Sequence, residues 1–263
     1  MGAIAGWPGA AHLVGCLMQR WLLGLALLMG LALPAMAACP AAVRGQALPA
    51  EGTASAIGWQ PWQFAVDAMT ERLRRSDVSR TRLVFIGDSI TEGWQAQVFQ
   101  QFYGHRLALN LGIGGDATQG LLWRLDRGHW PSNLRPQAIV LLIGTNNIGA
   151  GASAENTAQG IFQVVARLQQ ISPQSRILLL GVLPRGATAQ DPTRAAVAQV
   201  NRLIAACADN QRVFFADPGS VMIDALGNLP EWVAYDRLHL TMVGYSLMAA
   251  AIEPRLREMI SRW

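Results

Sequence analysis

The chain has 263 residues, 51% of them apolar and 14% charged, which excludes a disordered or collagen-like polypeptide and is long enough for a full hydrophobic core. Its net charge of +4 is carried by 21 basic residues, all arginine, against 17 acids, without a basic run. That balance concerns solubility and gives no argument for a nucleic-acid partner.

In chain order, the apolar run Trp21–Leu33 comes first. It is shorter than the ~20 residues a membrane-spanning helix needs. Arg20 precedes it, and Pro34-Ala35-Met36-Ala37 supplies the small residues of a cleavage site. Residues 1–37 therefore read as a secretory signal peptide, and the chain as periplasmic or secreted with no stable membrane span. Met18, ahead of Gln19 and Arg20, offers a second start with an ordinary short basic leader. Cleavage would leave Cys39 and Cys207, whose pairing an oxidising compartment permits without requiring. Met36-Ala37-Ala38-Cys39 also reads as a weak lipoprotein signal, but methionine stands where leucine is usual, so plain export is preferred.

Residues 38–61 are rich in Ala, Gly and Pro without periodicity and read as an extended N-terminal arm. The domain proper spans 62–263. Trp62–Arg75 is predicted helical, with Phe64, Ala65, Ala68, Met69 and Leu73 as its apolar positions and Arg74 and Arg75 suiting the C-terminal dipole. Leu83–Ile86 is a buried strand broken by Gly87-Asp88. Trp94–Phe102 follows as a helix, then a strand at Leu107–Leu111 and a helix at Thr118–Leu125. Ala138–Ile143 is the third strand, Ala154–Ile171 a long amphipathic helix, and Ile177–Leu183 the fourth strand. Pro192–Ala208 is helical, Val213–Ala216 the fifth strand, and Thr241–Arg262 the closing helix. Strands that are apolar throughout and alternate with helices indicate a parallel sheet covered on both faces. The expected fold is a three-layer α/β/α sandwich with about five parallel strands.

Ser89 falls at the carboxyl end of the first strand, where open α/β sheets build their sites. Most serines there simply cap a helix, and serine is a poor nucleophile until a base takes its proton. Three histidines follow the leader. His105 and His129 lack an acid at a suggestive spacing and read as surface or satisfied loop residues. His239 lies in Asp236-Arg237-Leu238-His239, a spacing at which the aspartate can fold back onto the imidazole Nδ1–H and leave Nε2 to accept from serine. Alone, such a short motif matches often by chance. Two further loops change that: the Gly115 backbone N–H and the Asn146 side-chain amide each follow a strand and could hold a developing oxyanion with the Ser89 N–H.

The four blocks Phe85–Ser89, Gly112–Asp116, Gly144–Asn147 and Asp236–His239 resemble those of the GDSL or SGNH hydrolases, with Ser89, Gly115, Asn146 and His239 at the four lettered positions. Within that superfamily the chain is most similar to the catalytic subunits of brain-type platelet-activating-factor acetylhydrolase. Leu122-Trp123-Arg124-Leu125, Leu183-Pro184-Arg185-Gly186 and Ala216-Asp217-Pro218-Gly219 share in that likeness, which runs from about Trp62 to the C-terminus. The resemblance implies a flavodoxin-like sheet and a metal-free, cofactor-free Ser89–His239–Asp236 triad. It also implies a shallow site for short, acetyl-type esters, and a homodimer. Residues matching Ile90, Thr145 and Leu238 line the acyl pocket in those relatives. Two departures stand out. Ile90 replaces the leucine of the family name, a volume-conserving swap. The leader is at odds with a mammalian enzyme that is cytosolic and assembles with a regulatory partner.

The expectation is thus an exported short-chain serine esterase acting on a small or glycan ester, with a carbohydrate deacetylase and a lysophospholipase as alternatives. Gly112–Ala117 also fits G-x-G-x-x-A, so a nucleotide-binding module is the reading from a different class. It follows the second strand, however, and leaves Ser89, Asn146, Asp236 and His239 unexplained. Trp123, Trp130 and Trp232 read as core or rim, and Arg185 as a solvated loop residue.

Overall fold

Five short apolar runs become five strands, and their lack of alternation is explained by what covers them. The computed structural model describes Cys39 and residues 47–261. The strands are β1 (Leu83–Gly87), β2 (Ala108–Gly112), β3 (Ala138–Leu142), β4 (Arg176–Leu180) and β5 (Val213–Ala216), all parallel in the order β2-β1-β3-β4-β5. Successive side chains point to opposite faces of a strand. Val84 and Ile86 of β1, Ile139 and Leu141 of β3, and Ile177 and Leu179 of β4 enter one core. Leu83, Phe85, Val140, Leu178 and Leu180 enter the other. One face is covered by α1 (Gln60–Arg75), α4 (Thr118–Leu125), α6 (Ala154–Ile171) and α7 (Pro192–Ala205); the other by α3 (Ala96–Tyr103) and α8 (Met242–Ser261). The three-layer expectation holds.

Helix starts follow capping chemistry. Ser153 accepts from the Asn156 N–H at the head of α6, and Asp191 accepts from the Thr193 N–H with Pro192 in the first turn of α7. Two one-turn helices had no periodicity to announce them: α2 (Ser89–Glu92) and α5 (Thr145–Gly149), each directly after a strand. The fourth strand ends at Leu180, earlier than expected. Beyond it the Asn201 side chain bonds both the N–H (2.8 Å) and the C=O (3.0 Å) of Val182, taking the place of a neighbouring strand.

Two other expectations need correction, and one open question is answered. The buried face of α1 is Trp62, Val66, Met69 and Leu73, at i, i+4, i+7 and i+11; Phe64 lies about 200° round the helix from Trp62 and is 64% exposed. The described part of the arm is folded onto the domain. Ala50–Gly52 forms a 3-10 turn with Gly52 buried, the Glu51 carbonyl accepts from Thr118 Oγ1 (2.8 Å), and Ser55 N–H donates to the Gln119 carbonyl (3.2 Å). Cys39 and Cys207 form a disulfide. That bond uses the sulfur on which the lipoprotein reading depends. The signal-peptide assignment lies outside the described residues. Among the described residues no helix is long and apolar enough to cross a membrane.

Candidate active site

Parallel strands deliver every loop that follows them to one rim of the sheet, and the order β2-β1-β3 sets the loop after β1 between the other two. Close approach there requires glycine. At Gly87 a Cβ would collide with the Leu142 carbonyl, and at Gly112 with the backbone of Glu92. Asp88 then caps α2, its Oδ1 accepting from the Ile90 N–H at 3.0 Å. The nucleophile candidate Ser89 is the first residue of that turn. Tyr245 of α8 fixes the turn from behind, donating to the Ile90 carbonyl at 2.9 Å.

Asp236 and His239 sit on a tight loop closed by an antiparallel bridge between Ala234 and Leu240. Arg237 makes the reversal in a left-handed conformation, φ 65°, uncommon outside glycine. Its guanidinium compensates by bonding the Leu229 carbonyl (2.6 Å) and the Glu231 carboxylate (2.8 Å). The reversal lets Asp236 Oδ1 accept the backbone N–H of His239 at 2.7 Å while Oδ2 meets His239 Nδ1 at 2.7 Å. Burial tends to raise the Asp236 carboxyl, but the hydrogen bonds from His239 outweigh it and hold the carboxyl below its usual range. His239 Nε2 lies 3.0 Å from Ser89 Oγ. Tyr235 stacks on the other side, its ring 6.1 Å from the imidazole at 21°.

The Gly115 loop is a turn in which Asp116 N–H donates to the Ile113 carbonyl at 3.2 Å. Gly115 takes φ 75°, the value demanded of the third residue of a type II turn. Asn146, in α5, donates from Nδ2 to the Asp116 carbonyl at 2.8 Å, so the Gly115 and Asn146 loops are tied directly. Beneath them Arg124 and Asp116 form an ion pair at 2.7 Å with neither side chain exposed. Arg124 also bonds the carbonyls of Gly87 (3.2 Å) and Leu111 (2.9 Å), and Trp62 Nε1 donates to Asp116 Oδ1 at 3.1 Å. One guanidinium thus joins the ends of β1 and β2 to the turn holding Gly115. This role was not legible beforehand, because Arg124 lies in a predicted helix with nothing to mark its burial.

Of the residues expected to line an acyl pocket, Ile90 and Thr145 are only 1% and 2% exposed, while Leu238 is half-buried against the same core as Ile90. Arg185 is not a solvated loop residue: its Nη1 donates to the Thr145 carbonyl at 2.7 Å and so braces the loop bearing Asn146. Trp59, which the sequence reading did not single out, packs its indole on Gly115. His105 lies away from this cluster in a 3-10 turn. His129 is wholly buried, its Nε2 2.9 Å from Thr70 Oγ1, and burial lowers its pKa to about 4. The glycine-rich Gly112–Ala117 stretch follows the edge strand β2 rather than the β1/β3 switch point, and Asp116 inside it is buried on Arg124. That is poor ground for a dinucleotide pyrophosphate.

The sequence pattern of the GDSL-like lipase/acylhydrolase family matches residues 85–247. Platelet-activating factor acetylhydrolase IB subunit alpha1 of Homo sapiens is 39% identical over 184 residues, 68% of this chain and 77% of that protein. Among solved structures, a GDSL-like lipase from Bacteroides thetaiotaomicron superposes with TM-score 0.58 at 22% identity, covering 73% of this chain and 97% of that one. An acetylxylan esterase from Geobacillus stearothermophilus gives 0.54 at 21%, over 68% and 94%. At those identities the structures speak for the fold. The family pattern and the human relative speak for kinship: this chain belongs to the GDSL-like lipase/acylhydrolase family and is a carboxylic ester hydrolase.

Proposed function

We propose that the protein is an exported serine esterase that removes short acyl groups, acetyl foremost. Ser89 is the nucleophile, His239 its base, and Asp236 the group that orients the imidazole. The observation that carries this reading is the chain of contacts from Asp236 Oδ2 through His239 to Ser89 Oγ, 2.7 Å and then 3.0 Å. His239 Nε2 takes the Ser89 proton as Oγ attacks the ester carbonyl. The oxyanion is held by the N–H groups of Ser89 and Gly115 and by the Asn146 amide. His239 then gives its proton to the leaving alcohol. Water, deprotonated by the same imidazole, attacks the acyl-enzyme and restores Ser89.

Short acyl groups are favoured because Ile90 and Thr145 are nearly covered and Leu238 is half-buried, which leaves little depth. An acetylhydrolase and an acetylxylan esterase stand among the similar proteins, which agrees with this preference. Export is supported by the leader-like residues 1–37 and by the Cys39–Cys207 disulfide, a bond that persists in oxidising compartments. The dimer implied by the resemblance stays part of the proposal, with light scattering in solution as its check.

Stopped-flow hydrolysis of p-nitrophenyl acetate tests the chemistry. Wild-type protein gives a burst of nitrophenol stoichiometric with enzyme, followed by slower turnover. Ser89→Ala loses the burst; a burst that survives in that variant removes Ser89 from the role of nucleophile.

A further inference from the structure

We infer that the folded N-terminal arm adds a subsite for a hydroxylated ring in the alcohol half of the ester. The inference rests on the proposed role of Ser89 and names the substrate class for that site. The arm precedes the segment matched by the family pattern, residues 85–247.

A cavity of about 230 Å³ opens beside the oxyanion residues. Gly115 and Asn146 line it together with Glu51 and Ile57 of the arm. That volume is below the roughly 300–1,000 Å³ of sites that enclose a drug-sized ligand, so it suits a single ring. Its chemistry is mixed in the way a polyol needs. Among the described residues the Glu51 carboxylate has no side-chain partner and is free to accept from hydroxyls. Gln119 accepts with its oxygen from Asn147 Nδ2 at 2.9 Å, which turns its amide N–H groups outward as donors. Trp59 does not line the cavity but adjoins it as an apolar plate: a Cβ on Gly115, which does line it, would approach the indole to 2.5 Å, and Trp59 is 54% exposed. The C–H face of a ring can rest on that indole while its hydroxyls reach Glu51 and Gln119. A carboxylate in the wall disfavours a phosphate-bearing alcohol for the same electrostatic reason. Glu51 is held by backbone rather than by chance, since its carbonyl accepts from Thr118 Oγ1 at 2.8 Å.

The test compares kcat/KM for two acetyl esters, a monoacetylated methyl glucoside and ethyl acetate, which share the acyl group and differ in the alcohol. Wild-type protein favours the sugar ester. In Trp59→Ala and in Glu51→Gln the ratio of the two falls by about tenfold, as loss of one stacking or one hydrogen-bond contact requires. Phe64→Ala, an exposed change on the neighbouring helix face, leaves the ratio where it was. Unacetylated methyl glucoside competes with ethyl acetate in the wild type and ceases to do so in Trp59→Ala. Equal losses on both esters in the Trp59 and Glu51 variants would overturn the subsite, as would a wild-type enzyme that prefers ethyl acetate or acetylcholine. Retained activity of Ser89→Ala on both esters would instead defeat the nucleophile assignment.

Discussion

In the proposed mechanism Asn146 has one amide for two tasks. One N–H of Nδ2 goes to the Asp116 carbonyl at 2.8 Å, and that bond aims the other. A donor aimed in advance contributes mainly once charge develops in the transition state, so its loss acts on kcat. Asn146→Ala is therefore expected to lower kcat by roughly 10²–10³ with little change in KM, measured by steady-state hydrolysis of a short ester. Asp88, one residue before the proposed nucleophile, makes a different prediction. It is 1% exposed and its Oδ2 has no partner among the described residues. Burial, opposed by the Ile90 N–H and reinforced by the Asp116 carboxylate, pushes it up to about 7 from 3.8. The folded state then holds a proton that the unfolded state releases between about pH 4 and 7. Stability from this group is thus full below pH 4 and is lost as pH rises through 7. Asp88→Asn keeps the cap and cannot ionise. It should match the wild type near pH 4 and exceed it above pH 7, by at most about 4 kcal/mol for a shift of this size. Urea titrations at the two pH values read the difference; a variant less stable at pH 8 would contradict it.

At the scale of elements, the site is a set of strand ends drawn together by one buried cation. Arg124 reaches from α4 to the ends of β1 and β2 and to Asp116. Removing the charge of Asp116 strands the guanidinium in a fully buried site, and breaking a buried pair this way costs ~3–5 kcal/mol. Asp116→Asn should lose stability on that scale in chemical denaturation, and its kcat should fall as well, because Asn146 leans on the Asp116 carbonyl in the same turn. What could be read from residues alone divides along the same line. The strands were legible because a covered parallel sheet needs unbroken apolar runs, as in Ala138–Leu142. Ser89 and Asn146 could be singled out because they follow β1 and β3, and Asp236 and His239 because an acid three residues before a histidine can reach its Nδ1; the contacts are there, and the catalytic roles belong to the proposal. The helices α2 and α5 were not legible, since four or five residues show no period. Phe64 misled because an apolar side chain can lie on the exposed face of a helix whose opposite face carries the core. The bracing by Arg124 and Arg185 escaped because burial of an arginine is decided by partners distant in sequence.

At the scale of the whole molecule, the arm and the disulfide act together. Cys39 and Cys207 are 168 residues apart in sequence, so their bond closes a loop containing the entire sheet except its last strand. In the chain-entropy account, a loop of that length removes enough freedom from the unfolded chain to stabilise the fold by about 5 kcal/mol. Measured bridges more often give ~2–4 kcal/mol. Cys207 is buried at the end of α7 and packs in the same core as Trp62 and Val200, so the anchor point is rigid. The other end leads into the segment that carries Glu51, Ile57 and Trp59 past Gly115. Replacing both cysteines by serine removes the bridge without leaving a free thiol. The double variant should unfold at lower denaturant by an amount within that range, in a titration followed by tryptophan fluorescence. Its residual activity then reports on the arm: the arm's 3-10 turn is held independently by Thr118 and Gln119, so catalysis on a small ester should persist wherever the fold does. A double variant as stable as the wild type would show that these backbone contacts alone hold the arm in place.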